Sequence, residues 1–116
     1  MSREELISQI REICKEYSDI LGIVVLFGSF SRDEQNANSD IDLYIEPKDE
    51  KMTTSVFCSN NRYRSFRRRL YATFPQEFDL LAYGGKRDLG NIRKSRLWRQ
   101  IEKDGVVLYD KRAEAV

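Results

Sequence analysis

Histidine is missing altogether, so an imidazole base or a histidine-bound zinc has no side chain to draw on. Cysteine is scarce. Cys14 and Cys58 stand far apart and form no CxxC pair, which removes a thiol-rich metal site and leaves two reduced thiols as the expectation. With two prolines and six glycines, the chain holds no linker, repeat or low-complexity segment. No apolar run approaches the ~18 residues of a membrane span. The opening MSREELISQIREICKEY also lacks the basic start and unbroken apolar stretch of a signal peptide, so a cytoplasmic protein with no membrane association is expected. Net charge is nearly absent too, at +1, but this balance hides a segregation. Residues 1–50 carry 12 acids and 5 bases (net −7), and residues 51–116 carry 7 acids and 15 bases (net +8). A basic half suits phosphate, nucleic acid or an acidic protein, and charge alone does not choose among them.

What is present suffices for a core: 41% of the 116 residues are hydrophobic and 34% are charged, a balance expected of one folded domain spanning residues 1–116. Leu6, Ile7, Ile10, Ile13, Cys14 and Tyr17 follow the spacing of one helical face, with Ser2 and Glu5 placed as a capping box. Residues 20–27, ILGIVVLF, are too short and too β-branched for a typical helix and read as a strand buried on both faces, ending at Gly28. After a polar loop, residues 40–45 alternate as a second strand closed by Pro47, and residues 48–61 show only a weak pattern. Tyr63, Phe66, Leu70 and Phe74 mark a basic amphipathic helix, stopped by Pro75. FDLLAY, residues 78–83, is a third strand ended by Gly84 and Gly85. Asp88 is then placed to cap one helix running to about Asp104, with Gly105 as its stop. Residues 106–110 are a fourth strand or an extended tail. The alternation gives an α/β (α+β) class, a small mixed β-sheet flanked by helices.

The chemistry gathers in Gly28-Ser29-Phe30-Ser31-Arg32, followed by Ser39-Asp40-Ile41-Asp42-Leu43, with ten residues between Ser29 and Asp40. A glycine and a serine directly after a buried strand let main-chain N–H groups and a hydroxyl approach phosphate closely. Asp40 and Asp42, two apart on a strand, leave the same face about 6.6 Å apart along the backbone. At a separation of about 4 Å their charges would repel by about 4 kcal/mol at an effective dielectric of about 20, a cost that a divalent cation relieves. Oxygen donors without histidine match magnesium. Asp79 sits within the third strand, where a lone buried carboxylate would be costly, and completes a three-carboxylate site if that strand lies beside the second. Such a site suits two ions, one on the nucleotide phosphates and one lowering the pKa of an attacking hydroxyl.

This composite of GS turn, ten-residue spacing, DxD pair and later strand aspartate resembles the nucleotidyltransferase superfamily that includes DNA polymerase β, and its minimal nucleotidyltransferase branch in particular. The resemblance covers about residues 20–110. It implies a polymerase β-like fold, binding of ATP with Mg2+, and transfer of AMP to a hydroxyl with release of pyrophosphate. By position it implies Gly28, Ser29 and Arg32 as nucleotide-binding residues, and Asp40, Asp42 and Asp79 as metal ligands and catalytic acids. Asp33 departs from the pattern, standing where many minimal members have glycine. Members of the branch commonly serve as antitoxins that add AMP to a tyrosine of a HEPN ribonuclease toxin, which implies such a protein as partner.

Two rivals stand beside this reading: an antitoxin that masks its partner by binding alone, and an RNA- or tRNA-end-modifying enzyme that uses the basic half. Nucleic acid remains an open but unfavoured partner. The cluster Arg62, Arg64, Arg67, Arg68 and Arg69 is by default a solvated helix face, and otherwise a docking surface for an acidic partner or for RNA. One of Arg93, Lys94, Arg96 and Arg99 is placed to steady pyrophosphate, Ser31 and Ser39 read as loop and capping residues, and Trp98 and Tyr109 as core or interface.

Overall fold

The computed structural model describes residues 1–111, so the expected domain of residues 1–116 ends outside the described residues. The elements run α1 (Arg3–Glu16), β1 (Leu21–Phe27), β2 (Ile41–Pro47), α2 (Thr54–Ser59), α3 (Asn61–Thr73), β3 (Phe78–Ala82), α4 (Lys86–Ile92), α5 (Arg96–Asp104) and β4 (Val106–Asp110). The sheet order is β3-β2-β1-β4, with β1 antiparallel to both β2 and β4 and β2 parallel to β3. This is the small mixed sheet flanked by helices that the sequence implies. Parallel pairing requires a long crossover, and α2 with α3 supplies it.

The two faces of the sheet bury different sets of side chains. On one, Val24, Leu26, Ile41, Leu43 and Ile45 meet Leu6, Ile10 and Ile13 of α1 and Phe66 and Leu70 of α3. On the other, Val25, Phe27 and Tyr44 meet Ile101 of α5, with Leu97 and Trp98 packed against them. Strands β1 and β2 are thus covered on both sides, which explains their near-continuous apolar runs.

Local signals account for most boundaries. Ser2 caps α1, its hydroxyl accepting from the Glu5 amide at 3.1 Å. The weakly patterned stretch 48–61 holds α2, which runs six residues and buries only Phe57, too little for a periodic signal. Asn60 ends α2 and also caps α3, accepting from the Arg62 and Tyr63 amides at 2.8 and 3.2 Å. The single helix expected from Asp88 to Asp104 is two. Helix α4 begins earlier, after Gly85 in a left-handed conformation (φ 79°), and Asp88 lies in its first turn, accepting from the Thr54 hydroxyl at 2.5 Å. Ser95 then caps α5 by accepting from the Trp98 amide at 3.2 Å. Residues 106–110 are a strand rather than a tail.

Candidate active site

Strand β1 delivers the chain to Gly28, which turns in the left-handed region at φ 75° and packs directly under Asp42. The conformation calls for glycine, and a Cβ here would also displace the Asp42 carboxylate by meeting its Oδ2. Beyond it the loop closes on itself. The Ser31 amide and hydroxyl both donate to Gly28 O, at 3.2 and 2.7 Å, and the Glu34 amide donates to Ser29 O at 2.9 Å. Phe30 anchors the loop in the core at 5% exposure. Arg3 of α1 clamps it from outside, donating to Phe30 O at 2.6 Å and Ser31 O at 3.1 Å. Sequence reasoning did not single out Arg3, because nothing in a helix start signals a partner 27 residues away.

Asp33 adopts φ 57°, the one positive φ among the described non-glycine residues. Aspartate tolerates the left-handed region better than most residues, so the loop keeps this turn without glycine. Ser31 and Ser39 have structural duties, Ser39 accepting from the Asn36 amide at 2.9 Å. Among the described residues, the Ser29 hydroxyl engages no protein partner.

The register of the sheet brings the acids together. Asp42 pairs with Phe27 on one side and with Asp79 on the other. Register partners on adjacent strands send their side chains to the same face, so the Asp42 and Asp79 carboxylates are neighbours. Burial, reinforced by the negative charges of Asp79 and Asp40 and opposed by Arg32, pushes the Asp42 carboxyl up to about 6. Two expectations need correction. Asp79 is exposed rather than buried, because β3 is the edge strand of the sheet. Asp40 lies just outside β2, also exposed, and reaches Asp42 through space rather than as the next position along a strand face.

Among the described residues, no group of three or more His, Cys, Asp or Glu side chains is gathered tightly enough to hold a metal ion. Their chemistry nonetheless fits a hard cation. Three carboxylates supply only oxygen donors, and Asp42 retains a proton more readily than an isolated aspartate because of its burial and the charges of Asp79 and Asp40.

The basic residues of the last helices divide. Arg93 is committed: it meets the fully buried Glu46 at 2.7 Å, donates to the Tyr44 hydroxyl at 3.2 Å and lies 3.9 Å from the Trp98 ring centroid. It cannot also steady a leaving group. Lys94, Arg96 and Arg99 are exposed. Arg32, exposed as well, pairs with Glu34 at 3.2 Å and casts its charge on Asp42.

Residues 8–114 match the sequence profile of the family described as Polymerase beta, Nucleotidyltransferase. The chain belongs to this nucleotidyltransferase family. Solved structures agree on the fold. A chain of a toxin–antitoxin structure with AMP-PNP superposes with a TM-score of 0.58 at 21% identity, over 98% of this chain and 77% of that one. A chain from the complex of a tri-AMPylated Shewanella oneidensis HEPN toxin with an MNT antitoxin gives 0.58's near equal, 0.57, at 18% identity, over 97% and 76%. No curated protein sequence matches the chain. As a member of the nucleotidyltransferase family, the chain carries the turn and the strand acids where its sheet converges. No helix among the described residues is long and apolar enough to cross a membrane.

Proposed function

We propose that this nucleotidyltransferase acts in the cytoplasm as an antitoxin, moving AMP from ATP to a hydroxyl, a tyrosine in the first instance, of a HEPN-type ribonuclease partner. The observation that carries the reading is the seating of Gly28 against Asp42 with Asp79 in register beside it, a phosphate-approaching turn built onto paired acids. The solved toxin–antitoxin structures with AMP-PNP and with an AMPylated toxin, similar in fold, support the donor and the acceptor class.

In this proposal the Gly28–Ser29 turn holds the triphosphate, and Arg32 offsets its charge at the mouth of the site. Asp40, Asp42 and Asp79 would hold Mg2+, two ions in the full complex, which when bound neutralises phosphate charge and acidifies the acceptor hydroxyl. Asp79, exposed on the edge strand, accepts the proton from the incoming hydroxyl. The acceptor oxygen forms a bond to the α-phosphorus as the bond from that phosphorus to the bridging oxygen breaks, and pyrophosphate leaves in line.

The test is mass analysis of a HEPN-type partner after incubation with the chain, ATP and magnesium. One or more AMP additions on the partner, lost with Asp42→Asn, are expected. Neutralisation of the partner without any mass gain would overturn transfer in favour of masking.

A further inference from the structure

Strand β3 ends the sheet, and its outer edge is open. The Ile41 amide donates to Glu77 O at 2.8 Å and the Tyr83 amide to Ile45 O at 3.0 Å, so the odd-numbered residues of this segment turn their backbone groups toward β2. By alternation, the N–H and C=O groups of Phe78, Leu80 and Ala82 face outward. Among the described residues the one side-chain hydrogen bond to these groups comes from Cys58, its Sγ a weak donor 4.0 Å from Ala82 O.

A cleft of about 270 Å³ runs along this edge, walled by α3 through Tyr63, Arg67 and Tyr71. Arg67 lies 6.0 Å from the Tyr63 ring centroid and lines the cleft together with Tyr71. The arginines of α3 are not equivalent. Arg62 and Arg69 are drawn to Asp19 and Glu16, at 2.9 and 2.7 Å, whereas no carboxylate among the described residues pairs with Arg67. Arg64 and Arg68 are exposed, and with Arg67 and the half-exposed Tyr71 they follow the i, i+3, i+4, i+7 spacing of one helical stripe.

We propose that the open edge of β3 is the strand on which the protein acceptor docks, as an extended segment whose hydroxyl residue is flanked on both sides by acidic residues. The proposal rests on the protein-modifying reading above and names the form of its substrate. Phe78, Leu80 and Ala82 direct their side chains to the face covered by α3, while Asp79 and Leu81 direct theirs to the opposite face, which carries Asp42. An added strand inherits this alternation at a spacing of about 4.8 Å. A residue in register with Asp79 therefore presents its side chain to the acid cluster, and its two neighbours turn toward Arg67 and its stripe. Main-chain pairing gives affinity, and the arginines select acidic flanks.

The experiment titrates a peptide of about ten residues, a tyrosine flanked by glutamates in a threonine and valine background, into the isotope-labelled full chain with magnesium and AMP-PNP, following backbone amides by NMR. Expected are shifts at the Leu80 and Ala82 amides, and affinity about tenfold weaker for a lysine-flanked peptide and for Arg67→Glu. Equal affinity for both peptides, shifts confined to other surfaces, or occupation of the Arg67 stripe by a single-stranded RNA oligonucleotide in place of the peptide would overturn the proposal. The Gly28 and Asp42 amides report AMP-PNP before peptide is added. Their silence would count against nucleotidyl transfer, while edge binding remained separately readable.

Discussion

Asp42 carries the tension of the site. Its carboxyl is pushed up to about 6, first by burial and then by the charges of Asp79 and Asp40. A raised acid pKa means that the folded chain holds the proton more tightly than the unfolded chain. Above pH 6 both states are ionised and the fold bears the full cost, and below 3.8 both are protonated and the cost is gone. Asp42→Asn should therefore stabilise the protein by about 1 kcal/mol near neutral pH, since solvent screening of a partly exposed group cuts the nominal effect to roughly a third. Urea denaturation at pH 7.5 and at pH 3.5 checks this: the gain should be present in the first and absent in the second, while AMP transfer is lost. Gly28→Ala acts in the opposite direction. A side chain in the left-handed region costs about 1–3 kcal/mol, and here it also drives into the Asp42 carboxylate. Lower thermal stability together with weakened AMP-PNP binding is expected by calorimetry, and an unchanged affinity would show that the turn does not touch the nucleotide.

Between elements, one ion pair ties β2 to Arg93, the residue that ends α4. Glu46 is fully buried among Tyr44, Arg93 and Trp98, and Tyr44 itself is raised well above the usual tyrosine range by burial and by the Glu46 carboxylate. Removing one partner of such a pair leaves a charge without compensation. Arg93→Ala should cost about 3 kcal/mol, and Glu46→Gln in that background should recover part of it in a double-mutant denaturation cycle. The Glu46–Arg93 contact was not legible in the sequence, where Arg93 is one of five bases on a helix that reads as continuous. The break at Ser95 was visible only as an ordinary serine, because no proline or glycine marks it and helix-compatible residues stand on both sides. Strands β1 and β2 were legible because burial on two faces concentrates apolar residues, and β3 because its short apolar run is closed by Gly84 and Gly85. That Asp79 would stand beside Asp42 was legible only as a condition, that the third strand lie next to the second, because a two-residue period fixes faces within a strand and not which strands are neighbours. The exposure of Asp79 was not, since a five-residue strand does not say whether it ends a sheet.

At the scale of the molecule, the charge segregation of the sequence is partly cancelled by the fold. Acidic α1 and basic α3 lie side by side, joined by Arg62–Asp19 and Arg69–Glu16. All four side chains are about half exposed, so each pair contributes less than about 1 kcal/mol. Replacing both arginines by alanine should shift the thermal midpoint by only a few degrees, and raising salt to about 1 M should do no more. A collapse in either experiment would mean that these contacts organise the α1–α3 layer rather than decorate it.

The parallel pairing of β2 with β3 has a consequence in time. Gly28 and Asp42 meet across an antiparallel pair joined by one loop, whereas Asp79 reaches Asp42 only after α2 and α3 have been made and folded back. Local pairings form readily, and distant ones wait on the closure of a long loop. On the ribosome the turn and its first acid therefore come together while the last acid is still unmade. On the proposed roles, a nascent chain would have the seat for a triphosphate before it has the group that would receive the acceptor's proton, and premature transfer would be closed to it.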